Sequence, residues 1–159
     1  MLNFAYCRVG EHHLAVAAGR KAVELNPYDA WAQVALGRAY DLCGDPDFAV
    51  RQCELAIALA GRDPHMRFHW QVGARALINK RDYHKASEWA RKAIECDPTQ
   101  ARPYLFLAIA LGYLGRRDEA RVALDTADRV VPATAVAGGN GPNIGTLPTR
   151  NICEQDWLV

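Results

Sequence analysis

The chain has 159 residues, half of them hydrophobic and 23% charged, which is the composition of one globular domain and not of a disordered segment. Nineteen basic residues against 18 acidic ones leave a formal charge of +1, so nothing electrostatic points to nucleic acid or to an anionic membrane. No run approaches the ~18 uninterrupted apolar residues of a membrane helix. The opening MLNFAYCRVGEHH does not read as a secretion signal, because Arg8 and Glu11 interrupt its apolar part. The five cysteines (Cys7, Cys43, Cys53, Cys96 and Cys153) form no CxxC pair, and their odd number suits reduced thiols in a cytoplasmic chain. Cys43, Cys53 and Cys96 are expected to pack as small apolar side chains.

Taken in chain order, the apolar pattern predicts helices over 2–9, 13–25, 30–43, 47–60, 65–80, 83–96, 100–114 and 117–131, and no segment alternates as a strand does. The first is only the end of a helix, so the chain opens inside a structural unit. That reads either as a piece of a longer protein or as a genuinely short first helix. Prolines follow Asn26, Asp63 and Asp97. Each lacks an N–H and restricts the residue before it, which ends one helix and starts the next turn. Asp45 and Asp82 stand where an N-cap belongs. Within 100–114, Tyr104, Leu107, Ala108 and Leu111 recur at the three-and-four spacing of one helix face.

The elements repeat. Pro64, Pro98 and Pro132 are 34 residues apart, and Pro27 lies 37 before Pro64 because Ala60-Gly61-Arg62 adds three residues between helices. Ala15 and Ala49, Ala86 and Ala120, Ala22 and Ala56, and Ala93 and Ala127 keep the 34-residue beat. So do Tyr6 with Tyr40 and Leu77 with Leu111. Gly10, Gly44 and Gly115 share one place, which Arg81 takes in another unit. A 34-residue helix–turn–helix unit with these residues resembles the tetratricopeptide repeat family, from about residue 2 to Pro132. Trp70, Ala74, Leu77, Ala86, Ala93 and Pro98 fit its pattern in one unit, and Tyr104 through Pro132 fit it in the next; Gly73, Gln33 and Arg81 depart from it. The resemblance implies an all-α, right-handed superhelix of antiparallel helix pairs with about three and a half repeats. Residues 1–132 form the repeat domain, and the Gly- and Pro-rich 133–159 is a tail, a loop or partly disordered segment. Its end carries the apolar Ile152, Trp157, Leu158 and Val159.

Little here suggests chemistry. His65 and His69 share a helix face, but the helix lacks the Glu of HExxH and no third ligand stands at a suitable spacing, so packing histidines and no metal are expected. Gly138-Gly139-Asn140-Gly141-Pro142 has no closing Lys-Ser/Thr, so no nucleotide cofactor is expected. Ser87 is the only serine, and no carboxylates are forced together. The chain is read as no enzyme.

In the resembled family the first helix of each unit lines a concave face that commonly binds a peptide. Carried onto this chain, that face receives Trp31, Val34, Arg38, Asp41 and Leu42, then Phe68, Gln71, Arg75, Ile78 and Asn79, then Arg102, Leu105, Ile109 and Tyr113. Aromatic and arginine side chains anchor interfaces, so the expected function is a scaffold that binds a protein or peptide segment, acidic with an apolar anchor. Trp31 and Phe68 can equally be packing residues. Val34, Val72 and Phe106 stand where the family's clamp for heat-shock chaperone tails is polar, so that ligand is not expected. Two alternatives stand beside this reading. The stretch Tyr83–Ile94 resembles repeats appended to bacterial class III adenylate cyclases, which implies a regulatory tail of a larger signalling enzyme. Open repeat ends around Leu2–Phe4 and Leu124–Val131 offer self-association into a homo-oligomer.

Overall fold

The computed structural model describes residues 2–61 and 65–130. The 133–159 tail, with the Gly138–Pro142 loop and Cys153, lies outside these residues. Among the described residues eight helices follow one another: α1 Leu2–Val9, α2 His12–Leu25, α3 Ala30–Leu42, α4 Pro46–Ala60, α5 Met66–Asn79, α6 Tyr83–Cys96, α7 Ala101–Tyr113 and α8 Arg117–Val130. Each end stands within one residue of its expected place, because the end signals are chemical. Asp29, Asp45 and Asp82 accept hydrogen bonds from the backbone N–H of Trp31, Phe48 and Lys85, satisfying donors that a helix start leaves open. Gly10, Gly44 and Gly115 close the turns inside their units at φ +83°, +84° and +76°. Arg81 adopts the same left-handed geometry at φ +67°.

Every helix packs on its chain neighbours, and the odd helices also touch in a row, α1 with α3, α3 with α5 and α5 with α7. The chain is therefore an all-α solenoid of antiparallel pairs whose first helices form one continuous inner face. Close approach depends on small residues: Ala15, Ala49, Ala56, Ala74, Ala86 and Ala93 have no exposed surface. Leu77 and Leu111, one repeat apart, are each 1% exposed, and their burial contributes about 1.5–3 kcal/mol apiece.

The three departures from the repeat pattern have local reasons. A Cβ on Gly73 would lie 2.1 Å from Cζ3 and 2.3 Å from Cε3 of Trp89. The large residue usual at that place has moved to the facing helix, where Trp89 is buried and meets Trp70 edge-on at 5.2 Å. Gln33 donates from Nε2 to the Pro27 carbonyl at 2.8 Å. Tyr104, at the same place in its unit, donates to the Pro98 carbonyl at 3.3 Å, so two unlike side chains fasten the same turn. Arg81 holds the glycine place at the cost of backbone strain.

The expectation for the cysteines needs correction. Cys53 is fully buried and Cys7 nearly so, but Cys43 and Cys96 are exposed. Cys43 caps the end of α3 and Cys96 is the last residue of α6, both beyond the surfaces where helices meet.

Candidate functional site

The inner face combines an aromatic cluster with a row of arginines. At its amino-terminal end, Trp31 at the start of α3 stacks on Phe68 at the start of α5, with centroids 5.4 Å apart and planes 24° apart. Phe4 of α1 completes the cluster, 6.5 Å from Trp31 and 5.8 Å from Phe68. His65 and His69 meet the Trp31 ring edge-on at 5.3 and 5.4 Å, so both histidines are packing residues against the indole. His69 is fully buried, whereas Trp31 keeps 36% of its surface exposed. Among the described residues, no group of three His, Cys, Asp or Glu side chains comes together to hold a metal ion.

Beside the aromatics lie Arg38, Arg75 and Arg102, one from each of α3, α5 and α7. Arg75 pairs with the buried Asp41 at 2.5 Å, and Asn79 donates to the other oxygen of Asp41 at 2.7 Å. That carboxylate is thereby committed. Arg38 lies over the Phe4 ring at 5.4 Å, which joins the cationic row to the aromatic cluster. Its Nε is buried without a hydrogen-bond partner, and among the described residues no carboxylate lies within ion-pair distance of Arg38 or Arg102. Desolvation and then the neighbouring Arg75 pull the Arg38 pKa below its ordinary value, and the same two causes act on Arg102. The one buried carboxylate thus pairs with Arg75 alone, and half-buried Arg38 and exposed Arg102 leave surplus positive charge on the face.

The expected groove residues do not all reach the surface. Val34 has no exposed surface and Gln71 only 8%, so both form the floor and not a contact surface. Leu105 and Ile109 are half-buried. Tyr113 is exposed, but its ring stacks on Tyr83 at 4.3 Å with planes 5° apart, which turns it toward the start of α6. Phe4 is absent from the face inferred from sequence, although the repeat locates it: Phe4 lies 34 residues before Arg38.

Residues 70–100 match the family model described as Tetratricopeptide repeat. Among solved structures, a MamA protein is 25% identical, with a TM-score of 0.70 over 81% of this chain and 69% of its own. A thermophilic tetratricopeptide repeat protein of Thermus thermophilus is 21% identical, with a TM-score of 0.70 over 82% of this chain and 71% of its own. MamA of Desulfovibrio magneticus RS-1 (residues 41 to its end) is 19% identical, with a TM-score of 0.64 over 87% and 74%. No curated protein matches the sequence significantly. The fold is thus a helical-repeat solenoid of the tetratricopeptide type. The family match covers one stretch of the chain, and the neighbours share its fold.

Proposed function

We propose that the inner face of α1, α3, α5 and α7 binds an extended segment of a protein partner, one that carries acidic residues beside an aromatic or large aliphatic anchor. The observation that carries this reading is the unmatched charge of Arg38 and Arg102 next to the partly open Phe4–Trp31–Phe68 cluster. A carboxylate arriving at half-buried Arg38 forms a charge-assisted hydrogen bond worth about 1.5–3 kcal/mol, whereas at exposed Arg102 solvent screening leaves about 0–1 kcal/mol. An apolar side chain placed on Trp31 removes aromatic surface from water at about 25 cal/mol per Å². The role is one of binding and not of catalysis, and the cysteine usage suits a cytoplasmic setting. Among the described residues no helix is long and apolar enough to cross a membrane.

Self-association is a second reading with an observation of its own. Val9 and Leu14 near the first helix pair, and Val122 and Leu124 on α8, are 71%, 47%, 63% and 46% exposed. The reading as a regulatory tail of a bacterial signalling enzyme rests on the Tyr83–Ile94 wording alone.

Selection from a random peptide display library tests the proposal. Recovered peptides are expected to pair Asp or Glu with Trp, Phe or Leu, and Arg38→Gln/Arg102→Gln is expected to lose the acidic preference. These two are the right targets because Arg75 also holds Asp41. Recovered peptides without acidic residues, or unchanged recovery by the double variant, would overturn it.

A further inference from the structure

We infer that the recess between α6, α7 and α8 is a second binding site, which takes a tryptophan side chain of a partner protein with a Lys or Arg beside it. Buried Leu107, Leu111 and Ala123 form its floor, and Tyr104, Val122 and Thr126 line its sides. Arg91 of α6 and Asp118 of α8 stand at its rim. Its volume is about 350 Å³, at the small end of the range for ligand pockets, which suits one large side chain. Tyr104, Leu107 and Leu111 stand on the face of α7 opposite Arg102, Leu105 and Ile109. The recess is therefore separate from the inner face and does not rest on the groove reading.

The preceding repeats show what this space is shaped for. In each of them the second helix puts an aromatic ring into the equivalent place. Phe48 of α4 packs on Tyr40 with centroids 4.3 Å apart. Trp89 of α6 lies over Gly73, is 6% exposed and meets Trp70 edge-on at 5.2 Å. The counterparts of Phe48 and Trp89 in α8 are Glu119 and Ala123, so the last unit supplies no ring. Leu107 replaces Gly73 and takes part of the room, and the remainder is the recess.

The charges around it complete the choice of ligand. Arg51 lies over Phe48 at 4.8 Å and Lys85 over Trp89 at 5.4 Å, so each earlier ring carries a cation on its face. Arg20, the counterpart of Arg91 in α2, lies over the Tyr40 ring at 5.6 Å. Arg91 reaches Glu119 only at 3.5 Å, while Arg116 takes both oxygens of Glu119 at 2.6 and 2.7 Å. Arg91 is thus placed to cover an incoming ring. Asp118 is exposed, and among the described residues no cation pairs with it, whereas Asp47, its counterpart in α4, pairs with Lys80 at 2.7 Å. A Lys or Arg next to the tryptophan meets Asp118, and an acidic residue there is repelled. The recess and the inner face therefore select tryptophan segments of opposite charge. Val122, 63% exposed at the edge, is covered by the same ring.

The test uses the full chain and the peptide Gly-Lys-Trp-Lys-Gly with a fluorinated tryptophan, read by fluorine NMR. A saturable shift of the fluorine signal is expected. Leu107→Gly/Ala123→Trp rebuilds the Gly73–Trp89 pair, fills the recess and is expected to abolish binding. Val122→Asn changes an exposed position, leaves the core alone and is expected to weaken binding about three-fold or more. Asp118→Asn is expected to weaken it about three-fold and to remove the preference over Gly-Glu-Trp-Glu-Gly. Arg38→Gln/Arg102→Gln is expected to leave the affinity unchanged. No saturable shift, or a shift that the recess variants do not weaken, overturns the inference and leaves the reading of the inner face standing. Binding lost in Arg38→Gln/Arg102→Gln overturns it by moving the peptide to the inner face. Mass measured over the same concentrations tests the other occupant: a dimer that Val122→Asn dissolves without peptide overturns the inference in favour of a second copy.

Discussion

Gly73 and Arg81 look alike in the sequence, each a departure from a repeated residue, yet their physics is opposite. Gly73 makes room: a methyl there would sit 2.1 Å from the Trp89 ring. Gly73→Ala gains about 1 kcal/mol of helix propensity but forces the indole aside, at an overpacking cost of about 1–3 kcal/mol or more. Net destabilisation of about 1–2 kcal/mol is expected in urea unfolding, and the loss is expected to shrink when Trp89 is replaced by Leu in the same chain. Arg81 is a side chain held in a conformation that suits glycine, at φ +67°. Arg81→Gly is expected to stabilise by about 0.5–1 kcal/mol, because relief of left-handed strain exceeds the added entropy of the unfolded chain. Unfolding midpoints measured for both variants check both signs. Asp41 supplies a third case. Its side chain is 1% exposed and relies on Arg75, so Arg75→Met leaves a buried carboxylate without its cation and is expected to cost about 3–5 kcal/mol.

At the scale of helices, the eight elements were legible because their ends are written in local chemistry: proline after Asn or Asp, aspartate caps and turn glycines. Asp45→Ala and Asp82→Ala are each expected to cost about 1 kcal/mol in thermal or urea unfolding, since each removes the acceptor for one helix-start N–H. Successive units are also joined by surface ion pairs, Asp47 with Lys80 at 2.7 Å, Glu54 with Lys85 at 2.6 Å and Arg91 with Glu119 at 3.5 Å. Hydrogen bonds from Lys80 hold the Asp47 carboxyl below the usual carboxylate range, and Arg116 does the same for Glu119. A carboxylate with a depressed folded pKa stabilises above the unfolded value of about 4 and loses that contribution as pH falls through the folded value. Stability is therefore expected to decline below about pH 4, more in Asp47 and Glu119 chains than in Asp47→Asn/Glu119→Gln. What the helix pattern concealed was tertiary substitution. Trp89 filling the space at Gly73, and Gln33 doing the work of a tyrosine, depend on neighbours that a repeat register alone does not supply. The exposure of Cys43 and Cys96 escapes the pattern for a related reason, because apolar character carries no information about their place at helix ends.

At the scale of the whole molecule, stacking turns a 34-residue period into a single face, and in the proposed function that face holds the partner segment. The resemblance to tetratricopeptide repeats led to the expectation of Trp31, Phe68, Arg38, Arg75 and Arg102 on it, and in the structure Trp31 stacks on Phe68 while the arginines stand on α3, α5 and α7. The resemblance did not reveal that Val34 and Gln71 sink into the floor, that Tyr113 leans on Tyr83, or that Asp41 is already spoken for by Arg75 and Asn79. Those outcomes depend on how deeply neighbouring helices interlock, which periodicity does not encode. The charge left over on Arg38 and Arg102 is the feature from which binding is argued. The most direct measurement is amide and indole chemical-shift mapping of the full chain titrated with an acidic tryptophan peptide. Shifts confined to α1, α3, α5 and α7, including the Trp31 indole and weakened by Arg38→Gln/Arg102→Gln, are the predicted result. Shifts centred on α2, α4, α6 and α8, or on the exposed Val122–Leu124 end, would contradict the account.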